Sequence, residues 1–272
     1  MSEPSFRLDG KLAIVTGAVG LLGRKHCEVL ASAGATVVVS DLDADACEDY
    51  AGSLRARGHR VLALAADVTD KAQVSALIER VLRERGAIDV LVNNAAVNDM
   101  VEAPLASSAS SRFENYPVEL FSRVLSVAVT GTFLCSQAVA THMAERRSGS
   151  IINVASTYAL VGPDQRLYRS ADGSQRFFKS AAYPAAKGAV LSFTRFLAAY
   201  LGAAGVRVNA LSPGGVKNGQ DGSFIERYAS RTPLGRMACA DDYKGALLFL
   251  ASDASGYMTG ANLVVDGGFT AW

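Results

Sequence analysis

Short apolar runs, each closed by a glycine or a polar residue, alternate along the chain with longer segments that read as helices. KLAIV (11–15) is the first such run; a Gly-rich turn from Gly17 to Gly23 and a helical stretch to about Ala33 follow it. The second run, ATVVVS, ends in Asp41. Runs at about 60–65, 88–92, 150–155, 206–211 and 262–265 continue the pattern, and helices are expected at about 44–57, 71–85, 118–146, 183–204 and 241–251. A strand apolar at nearly every position must be covered on both faces, and a helix between successive strands is the connection that a parallel sheet requires. The expected class is therefore α/β, a doubly wound parallel sheet with helices on both faces.

Such sheets bind ligands beyond the carboxyl ends of their strands. Gly17, Asp41, Asp67, Asn94, Ser156 and Pro213 all follow strand ends, so one rim collects them. Glycines after the first strand let the backbone approach a pyrophosphate, and the N-terminus of the next helix faces its charge. Gly17, Val19, Gly20, Leu21 and Leu22 are the candidates in that turn. Asp41 stands 24 residues after Gly17, where an acid can bond ribose hydroxyls and repel a 2′-phosphate. Leu42 adds no base beside it. The expected cofactor is NAD, with Arg24 as the counter-argument, because a base just after the glycines can reach such a phosphate.

Ser156 ends the fifth run, and the YPAAK segment from Tyr183 to Lys187 opens a helix. Residues four apart share one helix face. A free tyrosine, with a pKa near ~10, is a poor base at neutral pH, and a fixed ammonium nearby favours its phenolate. Lowering that pKa to ~7 takes roughly 4 kcal/mol. Lys187 and a positively charged cofactor ring are the expected sources, with Ser156 holding a substrate oxygen against the hydroxyl.

Composition narrows the alternatives. The net charge of +1 gives no electrostatic case for nucleic acid or an anionic membrane. Cys27, Cys47, Cys135 and Cys239 form no CxxC pair, and with three dispersed histidines they make no metal constellation. They read as buried reduced thiols of a cytoplasmic protein. The first residues lack an apolar segment of the secretory type, and no unbroken run of 18 apolar residues reads as a membrane span.

Taken together, the Gly-rich turn, Asp67-Val68, NNA from Asn93, Ser156, YxxxK, SPG ending at Gly214 and MTGANLVVDGG ending at Gly268 resemble the short-chain dehydrogenase/reductase family, in its shorter single-domain branch. The resemblance spans about residues 8–270. It implies one NAD-binding Rossmann-type domain over 1–272 that interconverts a secondary alcohol and a carbonyl. It makes Tyr183 the acid/base, has Lys187 lower its pKa and bond the nicotinamide ribose, and has Ser156 orient the substrate. Asp67 and Val68 would flank the adenine, Asn94 and Ala95 the adenosine side, and the backbone of Pro213, Gly214 and Val216 the carboxamide. A homotetramer is also implied, because the helices at 118–146 and 183–204 are rich in apolar residues and Phe269 and Trp272 need cover.

Departures stand beside the resemblance. The turn reads TGxxGxxG, the spacing of the longer, sugar-nucleotide-modifying branch; NNAG is NNAA; Asn218 replaces a Thr; and Ala128 stands where the family has a fourth catalytic residue, an Asn that holds a water. The stretch between Ser156 and Tyr183 is unusually long. Its loop at about 161–180 carries Arg166, Arg169, Arg176 and Lys179 against Asp164 and Asp172. Arg227 and Arg231 lie in a covering segment at about 215–236. These charges suit an anionic small substrate, with solvated loop charges as the alternative reading; the loop resembles dehydrogenases associated with acidic nine-carbon sugars and flagellin glycosylation, and the expected substrate is polar and sugar-like. The alternatives are a catalytically weak NAD-binding scaffold, favoured by Ala128 and Ala96, and a sugar-nucleotide epimerase or dehydratase, favoured by the glycine spacing.

Overall fold

In the computed structural model, which describes residues 5–97, 109–170, 172–175 and 177–272, seven parallel strands form one sheet. They are β1 (Leu12–Thr16), β2 (Thr36–Ser40), β3 (Val61–Ala63), β4 (Val90–Asn93), β5 (Gly149–Val154), β6 (Val206–Pro213) and β7 (Asn262–Val265). Their order is β3-β2-β1-β4-β5-β6-β7, so the winding reverses between β1 and β4. A crevice opens at the carboxyl ends of the strands flanking such a reversal.

Side chains alternate across each strand and feed two cores. Ala13, Val15, Val37, Val39, Val92 and Ile152 pack on one face against α1 (Leu21–Ser32), α2 (Ala44–Ala56) and α7 (Lys244–Ala251). Ile14, Val38, Leu91, Ile151 and Val208 pack on the other against α3 (Lys71–Arg85), α4 (Val118–Glu145) and α5 (Ala182–Leu201). Full burial of one such aliphatic side chain contributes about 1.5–3 kcal/mol. A polar seam crosses the second layer. Asn93 donates to Ser136 of α4 and to Asn153 of β5, and Asn153 donates to Thr194 of α5 at 2.9 Å. The seam fixes both helices relative to the strands that end at the site.

Helix starts differ in a way that matters below. Asp43 and Asp70 cap α2 and α3 through their carboxylates, whereas Gly20 at the start of α1 offers no side-chain acceptor. The first-turn amides of α1 therefore remain available to an anion.

Several details depart from the sequence expectations. The helix expected to reach 204 ends as α-helix at Leu201 and continues as a 3-10 turn, Gly202–Ala204. A further helix, α6 (Gly222–Ser230), lies within the covering segment. α4 is not regular: Ser126–Thr130 form a π turn in its middle. It is also long and apolar enough to cross a membrane by length and composition, although no apolar run in the sequence announces this; here it lies on the sheet with one face buried. Cys239 is exposed, unlike the other three thiols. Phe269 is covered by its own chain, stacked at 4.7 Å on Tyr228, while Trp272 stays exposed.

Candidate active site

A cavity of about 1130 Å³ opens at the β1–β4 crevice. Every cofactor and catalytic position expected from the sequence borders it, from Gly17 and Asp41 at one end through Ser156 and Tyr183 to Val216.

The Gly-rich turn builds one end. Gly17 has φ +61°, and a Cβ there would fall 2.8 Å from the Ala95 backbone. A Cβ on Gly23 would fall 2.1 Å from the Gly17 carbonyl, so this glycine lets α1 pack on the turn. Gly20 is less constrained: an added Cβ would meet only that same carbonyl, at 3.3 Å. Asn94 donates to the Thr16 and Gly17 carbonyls at 3.1 and 2.9 Å and so ties the end of β4 to the turn. The Asp41 carboxylate accepts from the Val19 and Leu42 amides at 3.1 and 2.8 Å, which holds it at the cavity wall. Arg24 is engaged elsewhere, with its guanidinium 4.6 Å from the Tyr50 ring centroid and its Nε on the Val19 carbonyl.

The other end joins β5 to α5. Ser156 follows β5, is 7% exposed, and its hydroxyl accepts the Tyr158 amide at 3.1 Å. Tyr183 is half-buried in the first turn of α5. Lys187, one turn on, is 3% exposed; its Nζ donates to the Val154 carbonyl at 2.6 Å and lies 5.8 Å from the Tyr183 ring centroid. Burial pulls the Lys187 ammonium down to about 8. The backbone after β6 is braced from behind: Tyr228 accepts the Gly215 amide at 2.6 Å, and Tyr243 donates to the Gly214 carbonyl at 3.1 Å.

The family model described as enoyl-(acyl carrier protein) reductase matches residues 17–270. The chain is 37% identical over 265 residues to cis-4-hydroxycyclohexanecarboxylate dehydrogenase of Sinomonas cyclohexanicum, covering 96% of this chain and 97% of that one. The chain belongs to the short-chain dehydrogenase/reductase family. It is 36% identical over 270 residues to D-threitol dehydrogenase of Mycolicibacterium smegmatis, covering 97% and 95% of the two chains. A gluconate 5-dehydrogenase from Burkholderia cenocepacia, solved with NADP and tartrate, superposes with a TM-score of 0.85 at 32% identity and 98% coverage of both chains. This dehydrogenase/reductase is thus an oxidoreductase of a family that binds nicotinamide cofactors.

The missing Asn of this family member has a structural setting. Ala128 sits in the π turn, 2% exposed, in an apolar cluster with Val97, Val124, Ala182 and Ala186. Ser126 borders the cavity, whereas Thr130 is not among its lining residues. Ala128→Asn is expected to lower the melting temperature and leave kcat flat or reduced, because a buried amide without partners costs about 1–3 kcal/mol. The check is a melting curve beside steady-state rates. A tenfold rise in kcat, worth ~1.4 kcal/mol in the barrier, would show that the substitution is a catalytic defect.

The long loop meets the cavity differently from the sequence expectation. Arg166 and Arg231 both pair with Asp164, and neither borders the cavity. Arg227 borders it but donates to the Leu167 and Arg169 carbonyls, which latches α6 onto the loop. Arg169 and Lys179 remain as loop cations at the cavity, and Arg176 falls outside the described residues. Aromatic rings of Tyr158, Tyr168, Phe177, Phe224 and Tyr228 also line this wall. Tyr168 packs 5.1 Å from Phe177 and 5.4 Å from Phe224, and its hydroxyl bonds that of Tyr158 at 2.8 Å. Sequence reading missed these rings. Tyr158 and Tyr168 come from 3-10 turns, Phe177 from irregular chain and Phe224 from α6, and their clustering is set by tertiary packing.

Proposed function

We propose that the protein is an NAD-dependent dehydrogenase acting on a secondary alcohol of a compact polar substrate, with Tyr183 as its acid/base. The observation that carries this reading is the single cavity joining the uncapped start of α1 and Asp41 to Ser156, Tyr183 and Lys187. Nicotinamide, when bound, supplies hydride acceptance or donation. The α1 amides and the glycine turn suit its pyrophosphate, and Asp41 suits the adenosine ribose. Ser156 orients the substrate oxygen, Tyr183 takes or returns its proton, and Lys187 bonds the nicotinamide ribose. The substrate is taken to be ring-like or polyhydroxylated. The aromatic wall and its few polar groups support that class, and the names of the relatives span a hydroxy acid, a polyol and gluconate. An anionic group on it would meet Arg169.

The test is NADH formation across polyols, sugar acids and alicyclic hydroxy acids. Net turnover supports the reading. Binding without turnover would favour a scaffold, and retained nicotinamide without net redox change an epimerase. For the cofactor, kcat/KM is expected to favour NAD over NADP by at least ~10-fold, since a 2′-phosphate would approach the Asp41 carboxylate. Equal values, or a preference for NADP, would overturn that part.

We also place the enzyme in the cytoplasm, where its four unpaired thiols suit a reducing milieu, and assign it a homotetramer. Phe133, Phe196 and Tyr200 on the outer faces of α4 and α5 are 43%, 63% and 72% exposed and form a ladder through Phe193. Apolar surface of that kind favours association. Light scattering at micromolar concentration should report an oligomer; a monomer would refute the assignment.

A further inference from the structure

The sequence reading assigned the phenolate of Tyr183 one protein cation, Lys187. The structure brings a second. The Nζ of Lys179 lies 4.5 Å from the Tyr183 ring centroid, closer than the 5.8 Å of Lys187. Lys179 comes from the long loop, and its backbone is clamped on both sides. The Gln165 side chain accepts its amide at 2.8 Å and donates to its carbonyl at 3.0 Å. Gln175 in turn donates to the carbonyls of Gln165 and Phe177 at 3.0 and 2.7 Å. Ser111 accepts the Phe178 amide at 3.0 Å, which holds the neighbouring peptide as well. The loop therefore fixes the backbone from which this ammonium reaches the Tyr183 ring.

We propose that Lys179, held by the Gln165 clamp, is a positioning residue that favours the phenolate of Tyr183 and so sets the pH at which the enzyme takes the substrate proton. This rests on the reading of Tyr183 as the acid/base. A nearby opposite charge favours the ionised form of an acid, and an ammonium 4.5 Å from the ring centroid faces the ring over which a phenolate spreads its charge. Burial pulls the Lys187 ammonium down to about 8, so above that pH a second cation supplies charge that Lys187 no longer does. The other ionisable groups bordering the substrate side of the cavity are Tyr158, Tyr168, Tyr228, Arg123, Arg169, Asp221 and Arg227. Burial pushes the three tyrosines upward, so they remain neutral hydrogen-bonding groups. Arg227 is turned onto loop carbonyls, and the Asp221 carboxylate caps α6.

The test is the pH profile of kcat/KM for alcohol oxidation. Lys179→Met is expected to move its midpoint upward by about one unit, with rates converging on wild type at high pH. Lys179→Arg should restore most of the shift. Gln165→Leu, which frees the clamp without touching either charge, should move the midpoint in the same direction. An unmoved midpoint overturns the proposal, including the case where Lys179→Met raises KM for anionic substrates alone. A second readout is the ultraviolet titration of tyrosinate, taken as wild type minus Tyr183→Phe, with and without Lys179. It needs no turnover. If Tyr183→Phe remains active, the acid/base reading fails, while the titration still decides whether Lys179 acts on this phenol.

Discussion

Tyr183→Phe is expected to lower kcat by about 10²–10⁴-fold, the range that positioned proton transfer contributes, while NAD affinity and folding stay close to wild type. The substitution keeps the ring that lies 4.5 Å from Lys179 and 5.8 Å from Lys187 and deletes only the hydroxyl. The packing of α5 on β5 and β6 does not depend on that oxygen. The measurement is steady-state NADH formation beside a fluorescence titration of NAD. Among the described residues, no other tyrosine at the cavity is placed to take over: Tyr228 accepts the Gly215 amide. The Tyr158 and Tyr168 hydroxyls bond each other at 2.8 Å, and burial pushes both upward. Activity above about a tenth of wild type would sink the proposed mechanism, since it lies far outside that range.

Lys187→Met should have the second large effect, and in two respects. Rate and NAD affinity are expected to fall together, because the ammonium is proposed to serve both the phenolate and the ribose. Stability without cofactor is expected to depend on pH differently from that of wild type. Lys187 has a folded value of about 8 against 10.5 when free, caused by burial. Between those values the unfolded chain binds more protons than the folded one, so wild-type stability rises with pH across the window. Stability is fully recovered above 10.5 and lost as pH falls through about 8, where the penalty reaches ~3 kcal/mol. Methionine removes this penalty but deprives the Val154 carbonyl of its donor, which costs about 1–3 kcal/mol. The firm expectation is therefore the trend. Relative to wild type, the variant loses ~1.4 kcal/mol for each pH unit between 8 and 10.5. Denaturant unfolding at pH 7.5 and 9.5 measures it. His26, whose imidazole burial pulls down to about 4, acts in an acid window well below both points. A difference independent of pH would mean that Lys187 is not desolvated as the structure has it.

Much of the site is local chemistry, and local chemistry is legible in a sequence. The turn after β1 needs glycine at Gly17 and Gly23 because backbone lies 2.8 and 2.1 Å from where their Cβ atoms would be. Asp41 closes the next strand, and Tyr183 and Lys187 are one helical turn apart. Each follows from spacing along a strand or helix, which the residue order alone defines. The reading of loop charge was weaker for the same reason. Arg166 and Arg231 looked like substrate ligands, yet both pair with Asp164, a residue two positions from one and 67 from the other. Nothing in their order distinguishes them from Arg169 and Lys179, which border the cavity.

The residue order determined the alternation of strand and helix, the parallel sheet and the rim where the site lies. These depend on hydrophobic period and on the handed, short-range geometry of the backbone. Tertiary structure decided the rest: the π turn under Ala128, the aromatic wall, the latch from Arg227, and the clamp that sets Lys179 on Tyr183. A π turn shifts a few hydrogen bonds without altering the apolar pattern. The loop contacts join residues far apart in the chain, from a loop with no period to read and from α6. Which cation reaches which group is settled only when those segments pack against each other.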